Sequence, residues 1–182
     1  KETAKRKLGI DPANTHLLMM CGSMGCGPLE KLTKLLAKQM DGSMALSIVC
    51  GTNKKLKEEL TEKFGSASNI HVYGFVQDMN AMMDSADLYL TKPGGLSTTE
   101  AAAKRLPMVF IDAVAGCEEY NLNYFVSIGG AVTAEEPEDL ARLCIRLIKD
   151  SPKRNAMASA LAASIPKNAA QQIYDVMKED DP

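Results

Sequence analysis

Tryptophan is absent from this chain, and aromatic residues make up only 5% of its 182 positions. A sequence so poor in flat rings offers no platform on which bases could stack. Net charge is scarce as well. Lys and Arg number 21 against 23 Asp and Glu, a balance of −2, so no basic field points to nucleic acid. Histidine occurs twice, as His16 and His71, and the five cysteines (Cys21, Cys26, Cys50, Cys117 and Cys144) contain no CxxC pair. That set argues against a zinc site, and no metal and no cofactor are expected. The odd cysteine count, with Cys21, Cys50 and Cys144 inside apolar or amphipathic runs, fits thiols used as small hydrophobes in a reducing, cytoplasmic compartment. No apolar run reaches the length of a membrane span, and no signal peptide is visible.

What is present is globular material, 46% hydrophobic and 24% charged. A chain of this size folds as one domain, 1–182, and buries roughly 70% of its unfolded surface without staples. It opens on Lys1 rather than Met, so a fragment of a longer protein is expected, with residues 1–12 as a linker. Within them Lys5, Arg6 and Lys7 form a basic cluster whose expected state is solvated.

The hydrophobic pattern alternates between two periods. Short apolar runs at 16–21, 44–50, 70–73, 86–91, 107–111 and 131–132 read as strands, the longer ones as buried parallel strands. Between them lie helical runs. One buries Leu29, Leu32, Leu35, Leu36 and Met40, with Pro28 suited to its first position. Others begin at Asn53, at Asp78 as an N-cap, at Glu100 and around Gly116. The run Pro137 to Lys149 is strongly amphipathic through Leu140, Leu143, Cys144, Leu147 and Ile148. Ser151-Pro152 caps the next helix, a last helix spans 168–178, and residues 179–181 are expected to fray. Strands alternating with helices predict an α/β fold, Rossmann-like, three-layer α/β/α, with a parallel sheet of about six strands.

Every candidate site in this scheme follows a strand. The turns at 22–27, 75–76, 94–98 and 116–121 would therefore all open on the carboxyl edge of the sheet, where open α/β sheets bind ligands. The stretch Thr91-Lys92-Pro93-Gly94-Gly95-Leu96-Ser97-Thr98-Thr99-Glu100 is the most telling. Glycines at 94 and 95 let backbone N–H groups come close to a ligand, a helix start favours an anion, and Ser97 and Thr98 add hydroxyl donors. Such a turn suits a phosphate or diphosphate. The same letters also have the S-x-x-E spacing of a capping box, with Ser97 as cap and Glu100 reaching back. Both uses stay open. The turn Gly22-Ser23-Met24-Gly25-Cys26-Gly27 is a weaker signal, since it is not the G-x-G-x-x-G fingerprint.

The segments Tyr73-Gly74-Phe75-Val76-Gln77-Asp78-Met79 and Ala86-Asp87-Leu88-Tyr89-Leu90-Thr91-Lys92-Pro93-Gly94-Gly95-Leu96-Ser97-Thr98-Thr99-Glu100-Ala101 resemble the C-terminal, donor-binding half of GT-B glycosyltransferases. The resemblance, from about Leu8 to Ala163, is to monogalactosyldiacylglycerol synthases and processive diacylglycerol glucosyltransferases. It extends more distantly to the N-acetylglucosaminyltransferase that makes peptidoglycan lipid II. It implies one half of a GT-B fold and a UDP-sugar site. Backbone groups at Phe75 and Val76 would meet the uracil, near Met79, and Glu100 would accept from the ribose hydroxyls, as an acceptor-only carboxylate can. Gly94, Gly95, Leu96, Ser97 and Thr98 would hold the diphosphate, with Gly22, Ser23 and Gly25 facing it. Glu118, Glu119 and Asn121 match the loop that contacts the sugar.

This chain departs from the family's Pro-Gly-Gln-Glu with Ala115-Gly116-Cys117-Glu118, and Cys cannot supply a Gln's paired donor and acceptor. Glu118 and Glu119 also have a plainer reading, as acids in a helix's first turn. The resemblance implies no catalytic residue here, because acceptor site and base belong to an absent N-terminal half. It further implies a hexosyltransferase of diacylglycerol-type lipids, cytoplasmic and peripheral at the membrane, with the isolated chain inactive. Two other readings share the architecture: a non-catalytic nucleotide-binding subunit of a split glycosyltransferase, and half of a nucleotide-sugar epimerase.

Overall fold

Two runs of consecutive buried residues set the frame. Thr15–Met20 (β1) and Met44–Val49 (β2) are apolar on both sides of the strand, as a strand covered on both faces must be. Around them the computed structural model, which describes residues 1–22, 28–111, 113, 116–166 and 168–179, completes a parallel sheet. Its other strands are Ile70–Tyr73 (β3), Leu88–Thr91 (β4), Met108–Phe110 (β5) and Ala131–Thr133 (β6), in spatial order β3-β2-β1-β4-β5-β6. Every pairing is parallel. This order reverses between β1 and β4, and such a switch point is where an open sheet leaves a crevice at its carboxyl edge.

The helices are Glu2–Lys7 (α1), Leu29–Ala37 (α2), Lys54–Phe64 (α3), Met79–Ser85 (α4), Gly95–Ala103 (α5), Cys117–Ser127 (α6), Pro137–Lys149 (α7), Ser151–Ser164 (α8) and Ala169–Glu179 (α9). Strand alternation sorts them into layers. Leu17, Met19, Leu46, Ile48, Leu88 and Leu90 meet α2, α3 and α7 through Leu29, Leu32, Leu36, Leu60, Leu140, Cys144 and Leu147. On the other face Leu18, Val49, Tyr89, Met108 and Phe110 meet α4, α5 and α6 through Met82, Met83, Ala101, Ala102 and Phe125. Helix α8 serves both cores, with Met157 in one and Leu161 in the other. At about 25 cal/mol per Å², each buried Leu or Phe contributes roughly 1.5–3 kcal/mol. The three-layer α/β/α expectation with about six parallel strands therefore holds, and strand limits differ by a residue or two at each end.

Caps explain where several helices begin. The Asn53 side chain accepts from Leu56 N–H at 3.0 Å, and Asp78, expected as a cap, accepts from Ala81 N–H at 3.0 Å. The cap of α8 is Asp150, accepting from Lys153 N–H at 2.9 Å, instead of Ser151, because a carboxylate one residue earlier reaches the same amide. Pro28 lies one residue ahead of its expected place, at the cap of α2. Residues 180 and 181 of the expected frayed end lie outside the described residues.

The amino-terminal basic cluster needs a larger correction. Residues 2–7 form α1, which packs on α4, and Lys5 is buried at 5% exposure. Its ammonium donates to Asp87 Oδ2 at 2.8 Å and to the Asn14 carbonyl at 2.6 Å. Lys1 holds Asp87 Oδ1 at 2.8 Å and Lys7 holds Asp78 at 2.8 Å. Burial by itself would raise the Asp87 carboxyl, but Lys1, Lys5 and the His16 N–H outweigh it and keep it below its ordinary value. Opposite charges and a half-buried carboxylate thus turn a stretch expected to be solvated into a docked helix. No helix among the described residues is long and apolar enough to cross a membrane.

Candidate functional site

Strand β4 leaves the sheet at Thr91 and returns as α5 four residues later. Pro93 and an extended Gly94 (φ −74°, ψ 143°) make the turn, with Gly94 as the helix cap and its N–H donating to the Lys92 carbonyl at 2.8 Å. The Thr98 N–H returns to the Gly94 carbonyl at 3.1 Å. The amides of Gly95, Leu96 and Ser97 come before the first helical bond and have no acceptor inside the helix. A side chain placed on Gly95 would meet no atom within 4 Å, and Leu96 is 82% exposed. Gly95 and Leu96 therefore lie at an open surface, with Ser97 half-buried beside them.

The four polar residues of this turn divide by role. Thr98 is buried, and its hydroxyl donates back to the Gly94 carbonyl at 2.7 Å. Both of its donors thus go to the Gly94 carbonyl inside the helix, whereas the sequence suggests a role in holding a diphosphate. Thr99 likewise donates to the Gly95 carbonyl at 2.7 Å. Ser97 makes only a long contact with the Gly94 carbonyl, 3.3 Å. The capping box also needs correction: α5 starts before Ser97, so the cap is a glycine and Glu100 sits in the second turn. There Glu100 lines a cleft of about 480 Å³ with Gln77, Met79, Asn80, Met83, Ala103 and Lys104. Met79 is half-buried against the second core, Val76 is half-buried, and Phe75 is 66% exposed on the turn that enters this cleft. Sequence reading nominated Met79 and Glu100 but missed Gln77, Asn80 and Lys104. The signal for Asn80 was helical spacing, 79/80/83 on α4, and for Lys104 its place at the carboxyl cap of α5, one turn after Glu100; Gln77 precedes α4 and carried no such signal.

Helix α6 reaches the same edge from β5. Its cap, Gly116, has φ +97°, a conformation that favours glycine. The Gly116 N–H donates to Glu119 Oε2 at 3.2 Å, so this carboxylate closes on its own helix start, the plainer of the two readings for that residue. Glu118 Oε1 would lie 3.9 Å from a side chain on Gly94. Asn121 Nδ2 donates to the Pro93 carbonyl at 2.9 Å. Gly22, at φ +68°, turns the chain out of β1 at the neighbouring strand end. Ser23 and Gly25, the other members nominated from that turn, lie outside the described residues. The structure thus brings the turns after β3, β4 and β5, together with Gly22, to the carboxyl edge.

Histidine plays no part there. His16 is buried at the opposite edge, its ring 2.8 Å from Ser47 Oγ and 3.0 Å from Ser85 Oγ. Burial pushes its pKa down to about 4, so the ring is neutral at physiological pH.

Comparison with known proteins agrees with this geometry. The family described as glycosyl transferases group 1 matches residues 28–162. The processive diacylglycerol beta-glucosyltransferase of Staphylococcus aureus (strain Newman) is 33% identical over 166 residues, 90% of this chain and 42% of the relative. The chain thus spans less than half the length of that curated relative. Among solved structures, WaaG, a glycosyltransferase involved in lipopolysaccharide biosynthesis, superposes with a TM-score of 0.72 at 24% identity, covering 96% of this chain and 50% of WaaG. A putative UDP-N-acetylglucosamine 2-epimerase from Listeria monocytogenes gives 0.75 at 17% identity, covering 91% of this chain and 45% of that one. Both likenesses show the fold alone.

Proposed function

The chain belongs to the glycosyl transferases group 1 family, and from that premise we propose that it is the donor-binding domain of a UDP-sugar-dependent hexosyltransferase acting on diacylglycerol-type lipids. The observation that carries the reading is the start of α5. Three amides without helical acceptors lie beside an unobstructed Gly95, next to a cleft that holds Glu100 and Met79. In this reading the amides of Gly95, Leu96 and Ser97 take the diphosphate, with the Ser97 hydroxyl giving up its long contact to the Gly94 carbonyl as a further donor. Gly22, Ser23 and Gly25 face it from β1. Backbone groups at Phe75 and Val76 take the uracil, and Glu100 accepts from the ribose diol. Glu118 faces the hexose, and Asn121 places α6 beside it.

The chemistry follows from those parts. Transfer builds negative charge on the departing diphosphate, and fixed N–H dipoles aimed at that charge lower the barrier. Deprotonation of the acceptor hydroxyl needs a base, and that base and the lipid site are assigned to the part of the protein that this chain does not include. Residues 1–12 would lead in from that part, and the complete protein would work at the cytoplasmic face of a membrane as a peripheral enzyme. The lipid acceptor is taken from the name of the 33% identical relative.

Thermal unfolding of the 182-residue chain with millimolar UDP tests the donor site. The melting temperature should rise, and Glu100→Ala should remove most of the rise. No shift in the unsubstituted chain would refute the reading. An epimerase half would bind UDP equally well, and the fold shared with the Listeria protein keeps that alternative concrete. Hexose transfer from UDP-hexose to diacylglycerol by the full-length protein separates the two.

A further inference from the structure

We propose that Asn121 is a positioning residue, which locks the sugar-facing helix α6 to the diphosphate-facing turn before α5; the inference rests on the donor-site reading. A peptide carbonyl can only accept a hydrogen bond, so the Asn121 amide must present Nδ2 to Pro93, and the 2.9 Å contact fixes which way the amide faces. Pro93 directly precedes Gly94, whose N–H is bonded back to Lys92 and whose carbonyl accepts both donors of Thr98. The tether therefore grips the turn one residue from the cap that sets the direction of the α5 amides. Its other end is equally firm. Helix α6 begins at a left-handed Gly116 and is closed by Glu119 on the Gly116 amide, and Asn121 lies one turn further on. Glu118 Oε1 meanwhile stands close to Gly94. One hydrogen bond between residues 28 positions apart thus holds the carboxylates of α6 at a fixed spacing from the amides of α5. One of the two N–H donors of the Asn121 amide is spent in doing so. The residue acts on the donor site through Pro93.

A direct sugar contact and a tether predict different patterns. The 182-residue chain is titrated by calorimetry with UDP and with UDP-glucose, as wild type, Asn121→Ala and Asn121→His. An imidazole Nδ1–H stands where the Asn Nδ2 stood, so the histidine variant restores a donor to Pro93. The tether predicts that Asn121→Ala weakens both ligands by a similar factor of about three to ten, the loss of one hydrogen bond, and that Asn121→His recovers most of it. It also predicts faster hydrogen exchange at the Gly94 and Thr98 amides in Asn121→Ala without ligand. Weaker UDP-glucose binding with UDP unchanged would make Asn121 a direct sugar contact and overturn the proposal. A lower melting temperature with both affinities unchanged would reduce the residue to a structural role and do the same. If the wild type bound neither ligand, the donor-site reading would fall, while the exchange rates would still decide whether the tether holds the turn.

Discussion

Protonating His16 should weaken this fold, and the effect can be sized from its surroundings. The ring is fully buried, with Ser47 Oγ at 2.8 Å and Ser85 Oγ at 3.0 Å. Ser85 Oγ also bonds the Met82 carbonyl at 2.6 Å. Burial is the largest influence, opposed by Ser85 and Asp87 and reinforced by Lys5 and His71, and it sets the pKa at about 4 against an ordinary 6.5. Because the folded value lies below the unfolded one, the unfolded chain binds the proton more readily. The stabilisation is therefore complete above about pH 6.5 and is lost as pH falls towards 4. Between pH 7.5 and 4.5 the loss comes to about 2.5 kcal/mol, at 1.36 kcal/mol per pKa unit. Carboxylates titrate over part of the same range, so the assay is a difference: urea unfolding of wild type and His16→Asn at both pH values. Wild type should lose about 2.5 kcal/mol relative to the variant on acidification. A difference that stays flat with pH, or a ring that titrates near 6.5 by NMR, would refute the reasoning.

Three further outcomes follow from single contacts. Lys5→Met leaves the half-buried Asp87 with one ammonium fewer, though still held by Lys1 and the His16 N–H, and should cost about 2 kcal/mol in urea unfolding; a loss below about 1 kcal/mol would mean that α1 is not held by this pair. Thr98→Val removes a hydroxyl spent inside the helix, so it should cost about 1 kcal/mol of stability and leave UDP affinity unaltered; a large loss of affinity would return Thr98 to the ligand's side. Gly95→Ala has room around the new methyl group, so the melting temperature should hold or rise while UDP affinity drops. Equal affinity in that variant would move the diphosphate off this turn.

Local signals that carry their own chemistry were legible in the sequence. Asp78 was readable as a cap because its partner, Ala81, is three residues away. The strand order was not spelled out, but apolar runs alternating with helical ones already placed the four candidate turns at the carboxyl edge. Ser97 and Glu100 misled because S-x-x-E is also satisfied inside a helix that has already begun. The deciding fact was the extended backbone of Gly94, and no pair spacing encodes it. Lys5 misled for a different reason. Its partner Asp87 is 82 residues away, and a lysine among lysines reads as solvated until a fold brings a half-buried carboxylate to it. The bond from Asn121 to Pro93 is long-range in the same sense. The residue was nominated, but the direction of its amide came only with the structure.

The central claim is that the first amides of α5 hold a diphosphate. An NMR titration of the isotopically labelled chain with UDP tests it most directly. The account predicts that the amide signals of Gly95, Leu96 and Ser97 move furthest, with Thr98 moving less and the His16 edge still. Saturating UDP that shifts other amides and leaves those three in place would contradict it.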